Sequence, residues 1–310
     1  MNCLIIGYGS IGTRHAGILT EMGHDVSIVS KRNITGFPCY KSIKKALKRK
    51  RFDYVIVSNE TSNHYNSFLE LNKLKYAGKI LIEKPIFAKT CLLSRRKNKN
   101  VFVGYNLRFH PIIQKLRQFL ENKQLYSVQV YVGQHLPNWR PRYDYTKCYS
   151  AYRAKGGGVL RDLSHEIDYL NWLTGGWKRL AAIGGKFSDL KIDSDDTFVL
   201  LIEMKNCPVV CVQMNYLDYT GRREIIINLN NASIKADLIN NTIETNGQTE
   251  KFAVEKNLTY ELLHKAILNG NFDNVCKFKD GLDVLKIIRA AEISVKKRAW
   301  VNRSSLKPVI

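Results

Sequence analysis

The feature that most constrains this chain is a glycine turn that directly follows an apolar run. The run at residues 2–6 has the composition of a buried strand, and the turn G-Y-G-S-I-G at 7–12 leads into a helix-like stretch. In a strand–turn–helix setting this spacing predicts a dinucleotide site, with the glycines allowing a tight turn, close approach of a pyrophosphate and packing of helix on strand. The helix N-terminus adds free N–H groups for the phosphates. The predicted cofactor-binding residues of this turn are Gly7, Gly9, Ser10, Ile11 and Gly12. The alternative interpretation is a glycine turn without a ligand.

Length and composition favour an ordered protein with an ample core. The chain has 310 residues, enough for two domains, and 45% of them are hydrophobic. No apolar run reaches the roughly 18 residues that suggest a membrane helix, and the first strand begins at the initiator methionine with no charged leader, so we expect a cytoplasmic protein without a membrane partner. The seven cysteines are scattered with no C-x-x-C pair, which predicts neither a disulfide framework nor a metal site.

The chain is strongly basic, with a formal net charge of +22. Basic runs at 41–51, 94–99 and 296–298 would suit a nucleic-acid binder. They fall on predicted amphipathic helices or loops, however, and no recognised nucleic-acid-binding motif accompanies them. We therefore expect no nucleic-acid partner and a solvated basic face, which would also raise the local concentration of small anionic molecules.

Alternating strand and helix patterns fill the first hundred residues, as a parallel sheet with crossover helices requires. The predicted strands are 2–6, 25–30, 53–58, 79–83 and 101–104, the predicted helices are 11–22, 41–50 and 62–75, and 86–99 reads as short or irregular. This pattern predicts an α/β fold with a Rossmann dinucleotide-binding domain at residues 1–110.

Beyond Pro111 the rhythm changes to that of an α+β domain, predicted for 111–310. We expect helices to about 122 and over 159–173, 259–269 and 279–296, and strands at 126–134 and in several runs up to about 254. Turn-like Lys205-Asn206 and Thr220-Gly221 separate three of these runs, which favours antiparallel hairpins and a large, mostly antiparallel sheet. The last helix is amphipathic enough to pack back on the first domain.

The end of the second strand indicates which cofactor is preferred. NAD sites place a carboxylate there to bind the adenosine ribose, whereas this chain has Ser30, Lys31 and Arg32. Two cations and a hydroxyl suit a 2′-phosphate, so we predict that NADP(H) is preferred and that NAD(H) is also possible. The alternative is that this loop only shares the general basicity of the chain.

A second chemical signal lies at the end of the predicted fourth strand, where Glu83, Lys84 and Pro85 follow an apolar run. Ligands bind at this edge of such sheets. A lysine held there can hydrogen-bond a reacting hydroxyl or carbonyl and relay its proton. Taken alone, the tripeptide is also compatible with an ordinary polar turn.

Together these motifs resemble the family of glucose-fructose oxidoreductase, inositol dehydrogenase and rhizopine-catabolism proteins, written Gfo/Idh/MocA. The resemblance covers nearly the whole chain. Its carriers are G-Y-G-S-I-G-T-R-H at 7–15, S-N-E-T at 58–61 with His64, E-K-P at 83–85, G-Y-N-L-R-F-H-P at 104–111 and G-G-G-V-L-R-D-L-S-H-E-I-D at 156–168.

The resemblance implies an active site and the residues that form it. Lys84 would lie between nicotinamide and substrate, with Asp162 and His165 completing the catalytic set. The cofactor would further be lined by Asn59, Glu60, His64 and Glu83, and by Asn106 or Arg108. The proton acceptor in the oxidising direction is then His165 or Lys84, with Asp162 orienting the substrate or the histidine.

The spacing of Asp162 and His165 departs from the family pattern. The family commonly separates these two residues by four positions, and this chain separates them by three. On one continuous helix, at about 100° per residue, they would still be only about 60° apart and could face one pocket. The alternative interpretation of His165 is a structural, hydrogen-bonded histidine.

An aromatic and basic loop suggests the substrate class. Trp139, Arg140 and Tyr152 lie in a segment suited to stacking on sugar faces and pairing with anions. We expect hydride transfer at a hydroxyl or carbonyl carbon of a sugar or nucleotide sugar, in a homodimer or homotetramer. The alternatives are that the loop packs an oligomer, that the protein reduces a non-sugar carbonyl or imine, or that it binds NADP(H) as a regulator without catalysis.

Overall fold

A computed structural model describes residues 1–89, 99–139 and 141–306. Most of the segment predicted as irregular at 86–99 therefore lies outside the described residues, and so does Arg140. The chain forms two compact units. The first contains Met1–Phe109 and Lys256–Leu282, and the second contains His110–Glu255 and the described residues from Asp283 to 306. The stretch 256–282, which the sequence pattern places in the second domain, thus groups with the first unit.

Helices and strands follow the predicted positions closely. The helices of the described residues are α1 (Ser10–Glu21), α2 (Ile43–Arg49), α3 (Thr61–Lys73), α4 (Pro111–Leu120), α5 (Val159–Asp162), α6 (His165–Leu173), α7 (Leu258–Asn269) and α8 (Phe278–Lys297). The strands are β1 (Asn2–Ile6), β2 (Asp25–Val29), β3 (Cys39–Tyr40), β4 (Tyr54–Val57), β5 (Lys79–Ile82), β6 (Val101–Val103), β7 (Leu125–Gly133), β8 (Trp177–Gly185), β9 (Thr197–Met204), β10 (Val209–Asn215), β11 (Arg222–Leu229), β12 (Ala232–Asp237), β13 (Thr242–Thr245), β14 (Gln248–Lys251) and β15 (Val301–Asn302). No helix in this described part of the chain is long and apolar enough to cross a membrane.

The first unit is built on a parallel sheet with the order β3-β2-β1-β4-β5-β6. Its central strands are continuous apolar runs, and every residue of β4 is buried, as expected where helices cover both faces of a parallel sheet. β2 and β3 lie on one side of β1, and β4, β5 and β6 lie on its other side, so the strand order reverses between β1 and β4. The carboxyl ends of these two neighbouring strands form the switch point at which such sheets bind ligands. The predicted Rossmann fold is confirmed.

The second unit is built on a nine-stranded sheet with the order β14-β13-β12-β11-β7-β10-β9-β8-β15. Buried and more exposed residues alternate along β9, which shows that one face of the sheet packs on a core and the other is open. On the core face, α5 contacts β9 and β10. Among neighbouring strands only β7 and β10 run parallel, so the predicted mostly antiparallel sheet is confirmed.

Two local predictions for the second unit are wrong. The run after Thr220-Gly221 does not form a hairpin with β10, because β7 lies between β10 and β11 and pairs with both. The predicted continuous helix at 159–173 is divided, because Leu163 leaves helical geometry (φ −98°, ψ 28°) and a turn at Leu163–Ser164 separates α5 from α6. Asp162 and His165 consequently end one helix and begin another, and the angle expected for a single helix does not apply.

Candidate active site

The glycine turn after β1 is packed so tightly that side chains are excluded at two of its positions. Gly7 has a φ of +97°, and a Cβ there would lie 2.5 Å from the backbone nitrogen of Asn59. A Cβ on Gly12 would run into the carbonyl oxygen of Gly7 and lie 3.0 Å from the Ser58 hydroxyl oxygen. That hydroxyl donates to the Gly7 carbonyl at 3.0 Å. The ends of β1 and β4 are thereby held together.

The start of α1 has the properties that a pyrophosphate requires. Gly9 is the N-cap and supplies no side-chain hydrogen bond, and the first turn contains no acidic residue. The N–H groups and partial positive charge of this helix end are therefore not neutralised by the helix itself. Gly9 and Ser10 are exposed, and no heavy atom lies within 4 Å of a Cβ position on Gly9. The residues present fit a dinucleotide phosphate group.

A residue that directly follows β3, Lys41, brings a third cation to the loop after β2, beside the two expected from the sequence. The ammonium of Lys41 donates to the side-chain oxygen of Asn33 at 2.7 Å and to the carbonyl oxygen of Lys31 at 3.1 Å. The Arg32 guanidinium donates to the Tyr8 carbonyl oxygen in the glycine turn. Lys31, Arg32 and Lys41 are all exposed. A loop with three cations favours an anionic ligand over a neutral ribose hydroxyl.

Two predicted cofactor residues follow β4 and are joined by hydrogen bonds. The Asn59 amide nitrogen donates to the Ser67 hydroxyl at 2.9 Å, while its side-chain oxygen is buried without a hydrogen-bond partner. Both ring nitrogens of His64 face carbonyl oxygens, those of Pro85 and Asn59, each at 3.1 Å. Burial lowers the pKa of His64, and a neutral imidazole can donate to only one of the two. Glu60, also predicted, is exposed at the N-cap of α3.

The Glu83-Lys84-Pro85 motif follows β5 at the same carboxyl edge of the sheet. The bond between Lys84 and Pro85 is cis, and Lys84 is half-buried. Glu83 is buried; one carboxylate oxygen accepts from the Lys84 backbone N–H at 3.2 Å and the other lies 3.1 Å from His15 Nε2. A Cβ on Gly104 would collide with this carboxylate, so the absence of a side chain there makes room for it.

Asn106 and Arg108 are both buried within the first unit. The Asn106 amide donates to the Thr259 hydroxyl at 2.6 Å, and Arg108 pairs with Asp280 at 3.3 Å. These contacts tie the segment after β6 to α7 and to the start of α8. Their predicted contact with a cofactor stays a prediction.

In the second unit, Asp162 is buried at the end of α5. The Tyr216 hydroxyl donates to its carboxylate at 2.7 Å, and burial raises the pKa of Tyr216 well above its ordinary value, which keeps the phenol protonated as a donor. Asp195 accepts from the Val159 and Leu160 N–H groups and so secures the first turn of α5. His165, half-buried, is the first residue of α6.

Of the two predicted substrate residues that the structure describes, Trp139 has a contact that leads to Asp162. The Trp139 ring meets the Tyr216 ring edge-on, with centroids 5.2 Å apart, and the indole N–H donates to the Gln134 carbonyl at 3.1 Å. Tyr152 is exposed and carries the Lys155 ammonium over its ring. Trp139 is thus linked to Asp162 through Tyr216, whereas no such link joins Tyr152 within the described part of the chain.

Sequence reasoning missed several partners of the predicted residues. Lys41, Tyr216 and His264 were not identified as site residues, and His15 entered only as part of a motif. Lys41 lies in a basic run that could have been connected with the loop after β2. No local signal marks His264 or Tyr216, because each reaches its partner only through the tertiary fold.

The fold and these features are typical of dinucleotide-binding proteins that pair a Rossmann unit with an α+β unit. A sequence model of an oxidoreductase family with an NAD-binding Rossmann fold, GFO/IDH/MocA, matches residues 1–105. The model of the GFO/IDH/MocA C-terminal domain matches residues 113–235. The chain belongs to the GFO/IDH/MocA family of oxidoreductases.

Individual relatives are distant. An uncharacterised oxidoreductase of Synechocystis sp. is 28% identical over 162 residues. The matched region spans 50% of this chain and 43% of the Synechocystis protein. The WlbA dehydrogenase from Bordetella pertussis, solved with NADH and UDP-GlcNAcA, has a TM-score of 0.78 at 18% identity, covering 97% of this chain and 98% of that one. A levoglucosan dehydrogenase solved with NADH and L-sorbose has a TM-score of 0.84 at 15% identity, with the same coverage of both chains. These structural likenesses show the shared fold.

Proposed function

We propose that the protein transfers a hydride between a nicotinamide cofactor and a hydroxyl or carbonyl carbon of a sugar or nucleotide sugar. The observation that carries the proposal is Lys84, whose backbone is hydrogen-bonded by the buried Glu83 carboxylate at the carboxyl edge of the sheet. The ligands of the two structural neighbours, UDP-GlcNAcA and L-sorbose, support a sugar as substrate.

In the oxidising direction, the substrate C–H bond breaks with transfer of hydride and the hydroxyl proton passes to a protein base. A nicotinamide dinucleotide held by the glycine turn before α1 would supply the hydride acceptor. Lys84 or His165 takes the proton, and reduction returns it to the developing alkoxide. Asp162, held by the Tyr216 hydroxyl, orients the substrate or His165. Trp139, Arg140 and Tyr152 are proposed to bind the sugar.

We further propose that NADP(H) binds more tightly than NAD(H). The support is the loop after β2, where Lys31 and Arg32 are joined by Lys41 and Ser30 supplies a hydroxyl. A 2′-phosphate brings two negative charges to this loop, which the ribose hydroxyl of NAD(H) lacks. The proposed assembly is a homodimer or homotetramer that uses the open face of the nine-stranded sheet.

The deciding experiment combines cofactor titration with turnover. The purified protein is titrated with NADPH and NADH by fluorescence, and a panel of sugars and nucleotide sugars is then screened by nicotinamide absorbance. In the Lys84→Met variant we expect unchanged NADPH affinity and a loss of turnover of about 10²- to 10⁴-fold, the usual contribution of a positioned proton donor or acceptor.

Lys265→Met is the matched control, because it removes an exposed lysine from α7 in the same unit. It should retain full turnover. Full turnover in Lys84→Met would remove Lys84 from the mechanism. Tight NADPH binding without turnover on any member of the panel would instead favour a regulatory protein or a non-sugar substrate, and the absence of nicotinamide binding would overturn the proposal.

A further inference from the structure

A chain of four polar side chains runs through the buried interior of the first unit. Tyr54 on β4 lies 3.1 Å from His264 Nδ1 on α7, and His264 Nε2 lies 2.9 Å from His15 Nδ1 on α1. His15 Nε2 lies 3.1 Å from the Glu83 carboxylate. Tyr54, His15 and His264 are fully buried, so these groups depend on one another for their hydrogen bonds.

With both imidazoles neutral and Glu83 as a carboxylate, one assignment of protons satisfies every link in this chain. The Glu83 carboxylate can only accept, so His15 donates to it from Nε2. A neutral His15 then accepts at Nδ1 from His264 Nε2–H, and His264 accepts at Nδ1 from the Tyr54 hydroxyl. Burial lowers the pKa of His264 well below its ordinary value and raises that of Tyr54 well above its own, which agrees with a neutral imidazole and a protonated phenol.

The chain ends at the backbone of Lys84. The Glu83 oxygen that His15 does not contact accepts from the Lys84 N–H at 3.2 Å, and the carboxylate occupies the space left by the missing side chain of Gly104. A carboxylate held at both oxygens has little freedom to rotate. The donors from Tyr54 to His15 therefore restrict the conformation of the peptide that carries the Lys84 side chain.

We propose that His264 is a positioning residue for Lys84: by donating to His15 Nδ1 it fixes the His15 ring, whose Nε2–H then holds the Glu83 carboxylate against the Lys84 backbone. This inference rests on the form of the proposed function in which Lys84, rather than His165, transfers the proton. His264 lies in α7, a helix remote in sequence from every motif of the site, and it contacts no cofactor or substrate in this role.

Two substitutions of His264 distinguish the loss of its hydrogen bonds from the loss of its packing. His264→Leu removes both hydrogen bonds and leaves His15 Nδ1 without its donor. His264→Gln can restore both, because its amide oxygen can accept from Tyr54 while its amide N–H donates to His15. The control is Ile267→Ala, which damages the core from the next turn of the same helix without removing a polar group.

We expect His264→Leu to lower kcat by about 10- to 100-fold, as small displacements of catalytic groups do, with NADPH affinity and KM unchanged within about threefold. His264→Gln should recover most of the lost turnover. Ile267→Ala should lower the melting temperature and leave kcat near the parent value. A folded His264→Leu protein with parental kcat, or a His264→Gln protein as impaired as His264→Leu, would overturn the proposal.

A readout independent of catalysis separates this proposal from the proposed function. In ¹⁵N NMR spectra of the parent, His15 and His264 should both carry their proton on Nε2, and the Lys84 amide should be protected from hydrogen exchange. In folded His264→Leu the ¹⁵N signal of His15 Nδ1 should shift as it loses its donor, and Lys84 amide exchange should accelerate. If these signals change as expected while the parent protein turns over no sugar or nucleotide sugar of the panel, the proposed function fails and the positioning of the Lys84 backbone stands. If they do not change, the positioning proposal fails whatever the substrate.

Discussion

Gly9 and Gly12 belong to the same turn, yet the space beside their α-carbons differs completely. A Cβ on Gly12 would meet the Gly7 carbonyl oxygen and the Ser58 hydroxyl, and the backbone oxygen cannot rotate away. The position beside Gly9 is open, and the φ of Gly9 is −88°, which any residue adopts. The two glycines are therefore required for different reasons, one for the fold and one for the approach of a ligand.

Gly12→Ala should destabilise the protein by about 1–3 kcal/mol, the usual cost of forcing an extra carbon into packed structure, and should also abolish NADPH binding. Gly9→Ala should keep the parental melting temperature within about 2 °C and weaken NADPH binding by about tenfold or more, because the new methyl group occupies the space proposed for the pyrophosphate. Thermal unfolding and fluorescence titration measure both effects. Unweakened NADPH binding in Gly9→Ala would contradict the proposed position of the phosphates.

His110 couples the stability of the second unit to pH. Burial, with a smaller contribution from the Arg223 charge, lowers the pKa of His110 from 6.5 to about 4. Between these values the unfolded chain binds a proton that the folded unit does not, so the stabilisation is complete above about pH 6.5 and is lost as the pH falls toward 4. The loss amounts to roughly 3 kcal/mol.

His110→Asn tests this dependence without removing the helix cap. The His110 Nδ1 atom accepts from the Ile112 N–H at the start of α4, and an asparagine oxygen can accept the same bond. Urea unfolding at pH 7.5 and at pH 4.5 should show a smaller difference between the two pH values in the variant than in the parent. Because His64 and His264 shift in the same direction, only the difference between the proteins is diagnostic. If the parent and the variant lose equal stability between pH 7.5 and pH 4.5, His110 does not control the loss of stability at acid pH.

At the scale of elements, sequence patterns located strands and helices but not their partners. β1, β4 and β5 are continuous apolar runs bounded by turn residues, so their positions and parallel arrangement could be predicted. The insertion of β7 between β10 and β11 could not be predicted, because strand pairing across the sheet depends on contacts between residues far apart in sequence. The local sequence predicts a hairpin between β10 and β11, but in the tertiary structure both strands pair with β7 instead.

The same limit explains what could be predicted of the candidate site. Lys84 and Asp162 lie in motifs with a fixed place relative to a strand or helix, and they could be selected from the sequence. Their hydrogen-bonding neighbours could not: Glu83 is linked through His15 to His264, which is 249 residues away from His15 in the chain, and Asp162 accepts from Tyr216. The break at Leu163 and Ser164 could not be predicted either, because no glycine or proline marks it in the sequence.

At the scale of the whole molecule, the nine-stranded sheet leaves one face open, and apolar side chains cross it. Ile183 on β8 is 76% exposed and Leu201 on β9 is 48% exposed. The two lie on the same face, because Ala181 pairs with Leu201 and Ile183 with Val199 in the antiparallel register. Ile226 on β11 continues this face on the far side of β7 and β10. Exposed apolar residues that share one sheet face make this face the candidate interface.

The double variant Ile183→Glu/Leu201→Glu should therefore dissociate the proposed homodimer or homotetramer, because association would bury two carboxylates in an apolar contact at a cost of several kcal/mol each. Light scattering after size exclusion should give an oligomer mass for the parent and a monomer mass for the variant, with unchanged circular dichroism. Ile239→Glu is the control, since Ile239 is 57% exposed but lies in the turn after β12. It should keep the parental mass. A parent that is monomeric at micromolar concentration would show that the open face serves another purpose, and an oligomer that survives the double variant would place the interface elsewhere on the molecule.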